Sequence, residues 1–110
     1  MNTASLTALM RQEMDIALHA LSGRSAHTVY GGHERTLQQT MIALRAGSRL
    51  HEHDNPGEAT VYVLQGRVAL TAGDETGHGL AGDLIVVPNA RHELEAIEDS
   101  VVLLTIAKHR

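Results

Sequence analysis

The chain contains no cysteine, and that one absence removes disulfides, thiolate zinc sites, iron–sulfur clusters and thiol nucleophiles together. Any metal ion has to sit on histidine and carboxylate. Aromatic residues are almost missing too: there is no Phe or Trp, and Tyr30 and Tyr62 are the two tyrosines. Nine Lys and Arg stand against thirteen Asp and Glu, a formal charge of −4. Without stacking platforms or a basic footprint, no nucleic-acid partner is expected. No apolar run approaches the roughly 20 residues of a membrane span. Residues 1–9 lack the positive start and continuous apolar stretch of a secretion signal. The expectation is a soluble cytoplasmic protein with no membrane partner. With 110 residues there is room for one domain, too little for a two-domain nucleotide enzyme or a (β/α)₈ barrel.

Between about Ser5 and Leu21, the residues Leu6, Leu9, Met10, Ile16, Ala17, Ala20 and Leu21 recur at helical spacing, which predicts one amphipathic helix. Asn2, Thr3 or Ser5 is expected to cap its start, and Gly23 its end in the left-handed conformation. The apolar stripe needs cover, either over the mouth of a sheet structure or against a second subunit. From Ala26 onward the pattern changes to short strand-like runs. Ala26 to Tyr30, Gly31-Gly32 and Arg35 to Leu44 read as a hairpin. Further runs are Ala59 to Gln65, Arg67 to Ala72, Leu84 to Val87, His92 to Ile97 and Val101 to Ala107. Turns are expected at Gly66, Gly73-Asp74, Gly77 to Gly79, Gly82-Asp83, Pro88-Asn89 and Glu98 to Ser100. Strands this short cannot each bury a face alone, so two sheets must close on a shared interior. Leu84 to Val87 and Val101 to Ile106 are expected to supply its core.

Histidine is the one excess, with eight in the chain. His51-Glu52-His53 precedes the Ala59 run; if the segment is extended, His51 and His53 share one face and Glu52 takes the other. Two imidazoles do not saturate a metal ion, and Glu58 and His92, each beside a strand, are the candidates to complete the set. Three histidines and a carboxylate, with one or two open positions, suit Fe(II), Mn, Ni, Zn or Cu(II).

His51-Glu52-His53-Asp54-Asn55-Pro56-Gly57-Glu58, continuing through Val61-Tyr62-Val63-Leu64-Gln65-Gly66, resembles the first motif of the cupins. Gly82-Asp83-Leu84-Ile85-Val86-Val87-Pro88 followed by His92 resembles the second. The resemblance runs closely from about Ala46 to His92. It implies an all-β fold, a small jelly-roll barrel of the RmlC-like kind, over residues 24–110, with residues 1–23 as an N-terminal helical segment. It also implies metal ligands at His51, His53 and His92. The motif's glutamate falls at Ala59, with Glu58 one residue early. Alternation turns Glu58 to the other face unless a bulge or the Pro56-Gly57 turn restores its aim.

The remaining histidines have plainer readings. His27, His33, His78 and His109 read as surface or turn residues, and His19 as part of the helix's polar face. Tyr62, Met41 and Gln39 read as core or wall. Arg49 and Arg67 would meet an anionic substrate or simply solvent, and Glu93 and Glu95 alternate as an outer face. Two functions stay open: a metal-dependent enzyme of the oxygenase or isomerase type acting on a small organic molecule, with no catalytic acid or base identified, and a non-catalytic ligand-binding or regulatory module with a vestigial metal site. A homodimer is expected, because small jelly rolls expose sheet edges and the helix stripe needs a surface.

Overall fold

The structure, a computed structural model, describes residues 1–53 and 57–108, with residues 52 and 53 through their backbone alone. The turn expected at Pro56 and the tail histidine His109 lie outside the described residues. Helix α1 (Leu6–His19) is followed by β1 (Arg24–Tyr30), β2 (Leu37–Leu44), β3 (Arg49–His53), β4 (Gly57–Gln65), β5 (Arg67–Ala72), β6 (Glu75–Leu80), β7 (Leu84–Val86), β8 (His92–Ala96) and β9 (Ser100–Lys108). They form a five-stranded sheet in the order β1-β2-β9-β4-β7 and a four-stranded sheet in the order β3-β8-β5-β6. Every ladder is antiparallel. This is the expected jelly roll with one N-terminal helix.

Alternation decides which residues fill the barrel. Ile42 and Leu44 of β2, Val61 and Val63 of β4 and Val102 of β9 meet Val68 and Leu70 of β5 and Leu94 and Ala96 of β8. The intervening residues of the larger sheet face outward, where α1 lays Met14 and Ala17 on Met41, Ala43 and Val101. Leu6, Leu9, Met10 and Ala17 of the expected stripe are therefore covered by the chain itself, on the back of the sheet rather than at the barrel mouth, while Ile16 and Leu21 stay exposed at 48% and 103%. Ser5 caps the helix by accepting the Ala8 N–H at 3.2 Å.

Several expectations are corrected. The helix ends at His19, with Ala20 in extended backbone as its C-cap. Gly23, at φ +72, is not that cap; the Arg45 guanidinium instead donates to the carbonyls of Leu18 (3.2 Å) and Ala20 (3.1 Å). Gly77 to Gly79 is no turn, because β6 runs straight through it, pairing Gly77 with Leu70 and His78 with Ala69. A Cβ on Gly79 would come within 2.9 Å of Ile85 and 3.0 Å of Val63, so glycine here serves close approach of two strands. The run Leu84 to Val87 is only half a core strand: Ile85 and Val87 pack inward, while Leu84 and Val86 are 61% and 73% exposed. β7 is an edge strand, and no described residue covers its outer face. Likewise Leu103 is only partly buried, unlike Val101 and Val102. Among the described residues, no helix is long and apolar enough to cross a membrane.

Candidate functional site

His92 opens β8, and its side chain is buried, at 5% exposure. The turn that delivers it is tight, since Ala90 N–H donates to the Pro88 carbonyl at 2.8 Å. The Ala90 carbonyl then lies 3.0 Å from His92 Nδ1. A carbonyl only accepts, so Nδ1 carries the proton in this contact, and in the neutral ring Nε2 holds the lone pair. Imidazoles that ligate metals are oriented in this way.

The space His92 looks into is otherwise aliphatic. A cavity of about 20 Å³ is lined by Ile42, Leu50, Val61, Leu70 and Leu94 along with it. That is close to the smallest volume that admits one water molecule, about 10–15 Å³.

Across the ladder, His53 is the backbone partner of His92. Directly opposed residues of an antiparallel pair belong to one face of the sheet. The preceding pair is Leu50 with Leu94, so residues 51 and 52 of β3 stand against Glu93 alone, which is a bulge. Strict alternation therefore does not carry from Leu50 to His53, and His51 is exposed. Glu58 is exposed as well, while Ala59 beside it lies in the core at 7% exposure. The β4–β9 register is regular from Gly57 to Val63 and shifts only after it, so no bulge re-aims the Glu58 carboxylate. The structure thus sets the backbone of His53 opposite His92, with His51 earlier on the same strand as His53, but it gives Glu58 to the outer face of β4.

Among the described residues, no group of three or more His, Cys, Asp or Glu side chains is gathered as a metal cage. His92, with its fixed ring and buried position, fits an imidazole-bound divalent ion. The inner face of β4 offers no carboxylate, because Ala59 stands there.

His19, His27, His33 and His78 are exposed. His19 Nδ1 donates to the Asp15 carbonyl at 2.8 Å. Arg49 is held on the outward face by Glu93 at 3.2 Å and Glu95 at 3.6 Å, which agrees with those glutamates as an outer face. Tyr62 stands exposed on the outside of β4, while Met41 is fully buried beneath α1. Sequence reasoning missed Ser100, a fully buried hydroxyl. It accepts the Arg67 N–H at 3.1 Å and reaches the Glu98 carbonyl at 2.7 Å, joining the two sheets at the end opposite His92. It stood within an expected turn, where serine is ordinary.

The Cupin domain family model matches residues 40–107. Among solved structures, the chain is similar to a conserved protein of unknown function from Streptococcus pyogenes, with 28% identity, a TM-score of 0.74, and coverage of 83% of this chain and 79% of that one. It is also similar to an RmlC-like cupin protein from Desulfovibrio desulfuricans, at 26% identity and a TM-score of 0.66 over 76% of this chain and 81% of that one. A mutant of the salicylate 1,2-dioxygenase from Pseudoaminobacter salicylatoxidans, in complex with gentisate, shares the fold at 20% identity and a TM-score of 0.76, over 91% of this chain and 32% of that one. Among curated proteins there is no significant match.

Proposed function

The chain belongs to the cupin domain family, and on that footing we propose that it holds a divalent metal ion on His53 and His92, with His51 as the third imidazole, and binds a small organic molecule beside it. The observation that carries the reading is the buried His92 ring, whose Nδ1 is tied to the Ala90 carbonyl at 3.0 Å. Its cross-strand partner is a second histidine, His53. An imidazole set suits Fe, Ni, Cu or Zn, with Mn the harder alternative. A bound ion would supply Lewis-acid polarisation of a ligand oxygen. The protein's own part is to orient the imidazoles and keep the surrounding walls apolar. Glu58 is left out of this set because the regular β4–β9 register fixes it on the outer face, whereas the β3 bulge interrupts alternation at His51. Homodimerisation belongs to the same proposal, through the exposed leucines that flank the β6–β7 turn.

A second reading, a non-catalytic ligand-binding or regulatory module, draws on the interior itself. Its small aliphatic cavity leaves little volume for a substrate and places no further acid or base beside His92 among the described residues lining it.

Elemental analysis of tag-free protein tests the proposal. Near-stoichiometric divalent metal that falls in both His92→Ala and His53→Ala is the expected result. Metal-free protein after reconstitution, or equal metal in both variants, overturns it.

A further inference from the structure

The back of the five-stranded sheet is covered over only part of its length. Helix α1 occupies the region around Met41, Ala43 and Val101. Toward the other end of the same ladders, Glu58 pairs with Ala107, and Thr60 sits between Thr105 and Val86. There a groove of about 430 Å³ opens, lined by Glu58, Thr60, Val86, Val87, Asn89 and Thr105 among others. Small-molecule sites typically measure about 300–1,000 Å³.

Its chemistry is one-sided. Glu58 is the one charged residue among the described residues that line it. The ion pairs of the described residues are Asp15 with His19 and Arg49 with Glu93 and Glu95, so Glu58 takes part in none. The neighbouring cation, Lys108, is partnered with Gly57 in the ladder and gives its ammonium to the Gly32 carbonyl at 2.6 Å. Thr60 and Asn89 add acceptor oxygens, and Thr105, whose hydroxyl accepts from Gln39 at 3.2 Å, keeps its hydrogen to donate. One carboxylate is too few for a hard-cation cage. An anion would be repelled, and a neutral ligand would gain no charge–charge attraction from the carboxylate.

We propose that this groove is a second binding site, outside the barrel, for a small organic ammonium ion. Glu58 takes the cationic nitrogen, Thr60 and Asn89 accept its other hydrogens, and the apolar body lies on Val86 and Ala107. The site does not depend on the metal proposal, since it shares no residue with the histidine set.

The test is a titration of ¹⁵N-labelled protein with cyclohexylammonium chloride, using cyclohexanol as the uncharged control. Saturable amide shifts confined to residues 57–60, 86, 87, 89 and 105–107 are expected, with cyclohexanol weaker. Glu58→Gln, an exposed change that leaves the fold intact, should weaken binding at least about threefold, the scale of a solvent-exposed ion pair. His92→Ala should leave the titration unchanged while removing metal, so the two proposals fail separately. Shifts that do not saturate, that scatter over the surface, or that are equal in Glu58→Gln overturn the site.

Discussion

Ala59 and Glu58 are adjacent on β4 and face opposite ways, the alanine buried in the barrel core and the glutamate exposed on the outside. The regular register of β4 against β9 across both residues enforces this division. An inner-face carboxylate is therefore missing by one position, and replacing Ala59 should restore it. Ala59→Glu is expected to lower metal-free stability by at least about 1–3 kcal/mol, from overpacking alone, with desolvation of the carboxylate adding to the loss. Saturating divalent metal should recover about 2–3 kcal/mol, because only the folded state presents the completed set. Urea unfolding with and without manganese or zinc reads both effects. A metal-dependent gain no larger than that of the unmodified protein would mean that position 59 does not reach the ion, and no gain in either protein would sink the histidine site.

The strands β4, β5, β8 and β9 were legible as runs of β-branched and aliphatic residues between turn signals, and the outward glutamates of β8 by their alternation with Leu94. Two things were not. Gly77 to Gly79 looked like a turn because glycine marks both turns and close approaches, and only the packing of Ile85 and Val63 against Gly79 distinguishes them. Leu84 and Val86 looked like core because a continuous apolar run does not reveal that its strand lies at a sheet edge. The candidate site was legible as residue types in order, His51, His53 and His92. The bulge between Leu50 and His53 was not, since it arises from pairing with β8. Glu13, buried on the helix with its carboxylate accepting from Gln12 at 3.1 Å, also breaks the pattern that its sequence position suggests.

The Ser100 hydroxyl makes a prediction about the seam between the sheets. It is fully buried and accepts the Arg67 N–H at 3.1 Å, while Gly66 next to it adopts φ +84 and has no room for a Cβ against Asp99 and Ser100. Ser100→Ala leaves that N–H without its acceptor and should cost about 1–3 kcal/mol. Chemical denaturation checks it, and a loss below about 0.5 kcal/mol would mean that water takes the hydroxyl's place.

The two faces of the larger sheet predict opposite responses to the same substitution. Leu44 is fully buried in the barrel core, so Leu44→Ala should destabilise by about 2–5 kcal/mol. Leu84→Ala, on an edge that the chain itself leaves uncovered, should stay within about 0.5 kcal/mol when measured at concentrations where the protein is monomeric. Similar losses for both would mean that the outside of β7 is buried in solution.

Self-association is where such burial would arise. The helix stripe no longer argues for a dimer, since Met14 and Ala17 are already packed on Met41, Ala43 and Val101. Among the exposed apolar residues, Leu80 and Leu84, 55% and 61% exposed, stand together at the β6–β7 turn between two sheet edges. They flank a turn held rigid by Asp83, whose carboxylate accepts the Leu80 N–H at 2.9 Å and whose own N–H donates to the Leu80 carbonyl at 2.9 Å. A fixed pair of leucines on a turn loses little entropy on contact and suits a two-fold interface, in which one patch meets its own copy. Sedimentation equilibrium should give twice the chain mass at micromolar concentration, and Leu84→Lys should return the monomer by placing like charges across the two-fold axis. A monomer mass that does not change with concentration removes the dimer, and the leucines are then ordinary exposed surface.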